Sequence, residues 1–174
     1  MEVSVLLGIS LDGYIAREDF SLDWLSMVET DPPEDTGYSD FMASVDVLVM
    51  GRHTYDSVLG FPTWPYPHKR VTVLSSQELT PVHNETFGRG PLPELLGRLE
   101  HEGVRRVYLD GGAVVRQGLA AGLVTDMTLS WLPILLGTGR PLFGPELPES
   151  RWTLYASRSF PSGLVQATYR QPES

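Results

Sequence analysis

The stretch VLVMGRHTYDSV, residues 47–58, decides how the chain is read. Its apolar run, Val47-Leu48-Val49-Met50, fits a buried strand. The run stops at Gly51 and gives way to Arg52, His53 and Thr54, three side chains able to hydrogen-bond a phosphate. Two readings stand at this point. Thr54 caps an ordinary helix, or the strand delivers its end to an anion held at a helix N-terminus.

Working outward, the same grammar recurs. Val3–Ile9 reads as a first strand, followed by a long loop, LDGYIAREDF. Asp23–Met27 reads as a helical turn, DPPEDTG (31–37) as a turn, and Tyr38–Ser44 as a short helix. Val45–Met50 is the second strand, and Thr54–Leu59 a short helix. GFPTWPYPHK carries three prolines in ten residues and is loop. Val71–Leu74 is a third strand ending in Ser75-Ser76. In 91–102 the leucines at 92, 95, 96 and 99 follow helical spacing, with Pro93 near the start and Gly103 at the stop.

Val104–Leu109 is a fourth strand that meets Asp110-Gly111-Gly112, and Ala113–Ala121 is the helix after it. Val124–Leu132 is a fifth strand. Trp152–Phe160 and Leu164–Arg170 form a terminal hairpin broken at Pro161-Ser162-Gly163. Four strand–helix alternations predict an α/β fold: three layers, with a central, mostly parallel sheet, an antiparallel C-terminal hairpin and helices on both faces. The 174 residues suit one domain, 1–174, without repeats or linkers.

Composition narrows the function classes. Thirteen Lys+Arg against 22 Asp+Glu give a net charge of −9. Such a chain lacks the basic surface that binds nucleic acid, so any anion site is local. Cysteine is absent, which leaves no disulfide and no thiolate metal site. His68, His83 and His101 are scattered, and EDTGYSD lacks calcium-loop spacing, so no metal is expected. The first residues, MEVSVLLGIS, have no basic lead, and no apolar run approaches the roughly 20 residues of a membrane span. A cytoplasmic protein without a membrane partner is the expectation.

Ligands of parallel sheets collect at the carboxyl ends of strands. Three such ends here, Gly51–Thr54, Ser75-Ser76 and Gly111-Gly112, carry amides, hydroxyls or glycines suited to a dinucleotide. Each has a plainer reading, as cap, turn or tight connection. Asp12, in SLDG at the end of the first strand, is a candidate polar group in the pocket, or an Asx-type turn before Gly13. Trp24 is a candidate wall for a flat heterocycle, or simple core.

MGRHTYDS, VLSSQ about twenty residues later and a strand ending in DGGA together resemble the dihydrofolate reductase fold. SLDGYIA, GLVTDMTLSWLPILLGTGRPLF and DGGA resemble more closely its riboflavin-biosynthesis reductase branch, over Val3 to about Tyr169. The resemblance implies NADPH, hydride transfer to a heterocyclic small molecule, and a homodimer. Carried over, Gly51, Arg52, His53 and Thr54 would hold the pyrophosphate and 2′-phosphate side, and Leu74, Ser75 and Ser76 the adenosine ribose. Gly111, Gly112, Ala113 and Val114 would hold the pyrophosphate from the other side. Ile15 and Ala16 would face the nicotinamide.

Folate reducers place a carboxylate on the helix before the GRHT strand. Counting back without a gap from Gly51 gives Asp35, whereas aligning on Phe41 gives Gly37. Folate reducers also have a Trp-Pro pair after the first strand, where this chain has Asp12-Gly13-Tyr14. The riboflavin branch has an acid before its double glycine, and here that is Asp110. A zinc deaminase signature is absent. The resemblance therefore implies an NADPH-dependent reductase of a pyrimidine- or pteridine-like substrate, most like 5-amino-6-(5-phosphoribosylamino)uracil. Folate reduction, or a nucleotide-binding module without catalysis, are the alternatives.

Overall fold

Strand β1 (Glu2–Ser10) holds the centre of the sheet because its side chains are apolar on both faces. In the computed structural model, which describes residues 1–172, it lies parallel to β6 (Arg106–Asp110) on one side and β7 (Asp126–Leu132) on the other. The full order is β5-β4-β3-β6-β1-β7-β10-β9. Here β3 is Val47–Gly51, β4 Arg70–Leu74, β5 Glu85–Gly88, β9 Thr153–Ser159 and β10 Val165–Arg170. The first six are parallel, and β10 and β9 close one edge antiparallel. The mostly parallel three-layer α/β fold with a terminal antiparallel hairpin is thus present. The last two residues of the expected 1–174 domain lie outside the described residues.

Alternation along each strand sorts two cores. Val47 and Val49 face one side, with Val5, Val107 and Leu109, under helices α3 (Leu92–His101) and α4 (Gly112–Ala120). Leu92, Leu95, Leu96 and Leu99 of α3 are all buried there, as their spacing predicts. Leu48, Met50, Val71, Val73 and Tyr108 face the opposite side. They meet Tyr55 and Val58 of α2 (Arg52–Leu59), and Phe41 and Met42 of α1 (Tyr38–Ser44) pack onto that layer. A 3-10 turn over Asp23–Val28 buries Trp24 against Leu132 and Leu164.

Three strands escape the sequence reading. β5 is the first, and it carries a buried carboxylate. Glu85 is held by Tyr55 Oη (2.5 Å) and by the N–H groups of Val82 (2.6 Å) and His83 (2.9 Å). Burial pushes its pKa up, but these donors outweigh burial and hold it below the ordinary carboxylate value. The others are β2 (Tyr14–Ala16) and β8 (Arg140–Pro141), which pair with each other and bring the LLGTGRPLF segment back beside the loop after β1.

Register places the strand tips side by side. Gly51 is opposite Leu74, and Met50 is opposite Asp110. The ends of β3, β4 and β6 therefore form one continuous rim.

Candidate active site

The rim opens into a cavity of about 470 Å³, within the range of small-molecule sites. α2 starts at Arg52, directly from the strand; its N-cap is Gly51, and no side chain bonds the free amides of the first turn. Thr54 therefore lies within the helix and does not cap it. α4 starts in the same way, with Gly111 as N-cap and no side-chain cap. Two helix N-termini thus open onto one cavity, with Gly51, Arg52, His53, Thr54, Gly111, Gly112 and Ala113 all in its lining.

The double glycine follows from steric need. Gly111 has φ +96°, in the region L side chains avoid, and a Cβ there would overlap Thr54 Oγ1. A Cβ on Gly112 would sit 2.7 Å from Ile15 Cδ1. The space kept by these two missing side chains is the gap between the helix ends. A dinucleotide pyrophosphate fits the chemistry of this gap: bare amides, two positive helix ends and nearby guanidinium groups.

Charge is concentrated here against the molecule's net −9. Arg52, Arg116 and Arg140 line the cavity, and among the described residues Asp110 is its single carboxylate. Arg52 bonds Asp56 (2.8 Å) and Gln77 Oε1 (3.1 Å), so the loop after β4 is tied to it. Arg116 donates to the Pro141 carbonyl (2.6 Å), and Arg140 to the Glu18 carbonyl (2.7 and 2.9 Å). Arg140 also lies over the Phe20 ring, 4.1 Å from its centroid, and Phe20 stacks on His53 at 4.2 Å. Phe20 takes φ +67°, uncommon for a bulky residue. The loop after β2 is thereby pinned across the cavity's edge.

Asp110 stands at the end of β6, on the same face as Tyr108. Its pKa is raised from 3.8 to about 6, chiefly by burial; the Tyr108 hydroxyl, the Gly111 N–H and the Tyr66 hydroxyl oppose the rise. Tyr66 and Tyr108 are themselves buried, and their phenols are pushed up first by burial and then by the Asp110 charge. Tyr108 donates to the Leu6 carbonyl at 2.8 Å. The half-exposed Tyr38 is shifted up for the same two reasons. A carboxyl group that exchanges its proton this close to physiological pH is suited to proton transfer.

Other expected residues fall elsewhere. Ile15 and Ala16 of β2 line the cavity. Val114 is buried in the core under the α4 end. Leu74, Ser75 and Ser76 flank Arg52 through Gln77 and are not in the lining; Ser75 Oγ accepts from the Gln77 N–H at 3.1 Å. Trp24 is core, and its neighbour Leu25 reaches the cavity instead. Asp35 is exposed and accepts the Gly37 N–H (2.9 Å), which shapes the turn before α1. Asp12 is also outside the lining. It accepts from Ser10 Oγ (2.6 Å), Leu136 N (3.1 Å) and Gly137 N (2.8 Å), which ties the loop after β1 to the 136–137 turn. These bonds, led by Ser10, hold its pKa below the ordinary value.

Sequence reasoning did not reach Phe20, Arg116, Arg140 or Tyr66. Only Arg140 had a visible cue, its place in LLGTGRPLF. Among the described residues no three His, Asp or Glu side chains are grouped to hold a metal. No described helix is long and apolar enough to cross a membrane. A second hollow, about 590 Å³, opens at the amino ends of the strands around Asp46 and Arg106. Two of its charged groups are engaged internally: Asp46 accepts the Arg105 and Arg106 backbone N–H groups, and Arg106 pairs with Asp126.

Comparison with known proteins identifies the family and the fold. The sequence matches the RibD C-terminal domain over residues 2–166. It is 32% identical over 157 residues to the uncharacterized protein YwjB of Bacillus subtilis (strain 168), covering 88% of this chain and 89% of that one. A putative riboflavin biosynthesis protein from Shewanella sp. PV-4 superposes with TM-score 0.93 at 36% identity, covering 99% of this chain and 100% of the other. Dihydrofolate reductase from Enterococcus faecalis, solved with NADP(H), superposes with TM-score 0.70 at 16% identity, covering 99% of this chain and 97% of that one, a likeness of fold alone. A model match across nearly the whole sequence settles the lineage: the chain belongs to the RibD C-terminal domain family, whose solved relatives carry the dihydrofolate reductase-like fold.

Proposed function

We propose that the protein is an NADPH-dependent reductase of a pyrimidine- or pteridine-like heterocycle. The observation that carries this reading is the pair of uncapped helix N-termini, at Gly51–Thr54 and Gly111–Ala113, facing one cavity with Asp110 beside them. Membership of a family with reductase relatives supports the reaction class. Arg52 is the group for the 2′-phosphate, because its guanidinium stands at the mouth of α2 beside the Gln77 loop.

NADPH, when bound, would supply a hydride to the carbon of an acceptor C=N bond. The electron pair of that bond then moves to nitrogen. Asp110 donates the proton that this nitrogen takes up, and regains one from solvent. Ile15 and Ala16 shape the nicotinamide end, and Phe20 with Leu25 excludes water from it. Much of the acceleration would come from holding both reactants in register.

We further propose a homodimer. Its support is β9, an edge strand exposed along its length, with Leu154 and Tyr155 54% and 61% exposed. A monomeric mass at micromolar concentration would overturn that assignment. The reductase reading is checked by titrating the pure protein with NADPH, following nicotinamide fluorescence, then adding acceptors and following loss of the reduced-nicotinamide absorbance. Saturable binding with turnover supports it. Binding without turnover of any heterocycle favours a module that keeps the cofactor site without catalysis.

A further inference from the structure

Given the reductase reading above, on which this rests, we infer that Asp56 and Gln77 are positioning residues for cofactor choice. They clamp Arg52 so that the Nη end of its guanidinium, and not its Nε side, is offered to the 2′-phosphate. The bonds Arg52 already makes point this way. Its Nε–H lies 2.8 and 2.9 Å from the two carboxylate oxygens of Asp56, one helical turn further along α2. Its Nη1 donates to Gln77 Oε1 at 3.1 Å, across the rim in the loop after β4. Arginine only donates, so Gln77 must present its carbonyl oxygen here.

A guanidinium grips a phosphate bidentately along one of two edges. The side edge pairs Nε with Nη2, and the end pairs Nη1 with Nη2. Asp56 holds Nε, which closes the side edge to a phosphate. The Nη end is left. Gln77 takes one of the two Nη1 hydrogens, and among the described residues nothing accepts from Nη2.

Both anchors are themselves held. Asp56 belongs to α2 and moves with the helix start. The Gln77 N–H donates to Ser75 Oγ at 3.1 Å, and the buried Ser75 donates its own N–H to the Gly88 carbonyl at 3.0 Å. Arg52 is therefore fixed from two elements, its own helix and the loop that leaves β4. A swinging arginine loses rotamer freedom when a phosphate binds, and an ordered one has already lost it.

Asp56 also brings a negative charge that opposes the phosphate. The pair is solvated, with Arg52 37% and Asp56 46% exposed, so water and salt screen that repulsion. Screening does not touch the orientation, and orientation prevails.

The experiment titrates the full chain with NADPH and with NADH, following nicotinamide fluorescence, for the parent, Asp56→Ala, Asp56→Asn, Gln77→Ala, Arg52→Ala and the double variant Arg52→Ala/Asp56→Ala. Asp56→Ala and Gln77→Ala should each weaken NADPH by about 3–10-fold, the ordering cost of one long side chain, and leave NADH within about twofold. Asp56→Asn keeps an oxygen that accepts from Nε and should retain the parent's preference for NADPH. With Arg52 already replaced, Asp56→Ala should no longer move NADPH. Tighter NADPH binding in both Asp56 variants overturns the inference, because the charge then outweighs the orientation. Equal loss of NADPH and NADH, or no change in either single alanine variant, overturns it as well. Failure of the underlying reading looks different: the parent then binds no NADPH, or Arg52→Ala weakens both cofactors alike, and the positioning role falls with it.

Discussion

Replacing Asp110 by asparagine removes the proton-binding group and leaves the shape. The folded chain holds this carboxyl's pKa near 6, against 3.8 for its ordinary value, mainly through burial. Two pH units correspond to roughly 3 kcal/mol. The sign is fixed by linkage. The folded state binds the proton more tightly, so stability is complete below the unfolded-state value. It is lost as pH rises from about 4 to about 6, and stays lost above that.

The neutral amide of the Asp110→Asn variant would not carry that penalty, but it would receive the Gly111 and Tyr66 hydrogen bonds less well, at about 1 kcal/mol each. The net expectation is a gain of about 1 kcal/mol at pH 7.5 and a loss of about 1–2 kcal/mol at pH 4. Urea midpoints for both proteins at the two pH values measure it. In the same variant kcat should fall by roughly 10²–10⁴, and the parent's activity should decline as pH climbs through about 6. A stability difference of the same sign and size at both pH values, or a kcat within threefold of the parent, would refute the reasoning.

Arg52→Ala should weaken NADPH by about 10–100-fold, the worth of a charge-assisted contact, and NADH by no more than a few-fold; fluorescence titration with each cofactor decides, and equal loss removes Arg52 from the 2′-phosphate. Gly111→Ala forces a Cβ into Thr54 at a left-handed backbone position. It should cost about 1–3 kcal/mol in urea unfolding, and Gly122→Ala, at positive φ but with open space around its Cβ, should cost less. Glu85→Gln removes a buried carboxylate whose pKa is depressed. Parent stability from that group is present above pH 4.5 and is lost as pH falls through the lower folded value, so acid unfolding of the variant should be less steep below that pH.

The parts legible in the sequence were those set by local patterning. The strand at Val47–Gly51 was visible because its residues are apolar on both faces, and α3 because its four leucines keep helical spacing. Gly51 and Gly111–Gly112 were visible because strand ends and glycines mark backbone that must come close to something. What escaped depended on distant partners. β5 reads ETFG, a polar edge segment whose Glu85 is buried only because Tyr55 and two amides wait for it. β2 and β8 total five residues and exist only as a pair more than a hundred positions apart. Asp12 had the chemistry of a pocket acid and sits at the right strand end, yet the 136–137 amides capture it. Tyr66, in a loop of prolines, gave no pattern that could place it against Asp110. Trp24 and Leu25 are neighbours on a short helical turn, and the choice of which faces the cavity was made by Leu132 and Leu164.

The central claim is that the two helix starts grip one doubly phosphorylated cofactor. Amide hydrogen exchange with and without saturating NADPH tests it most directly. Slowed exchange at residues 52–54 and 112–114, with the Asp46–Arg106 hollow unchanged, is the predicted result. Saturation that leaves both helix starts unprotected, or protection that appears at the opposite end of the sheet, would contradict it.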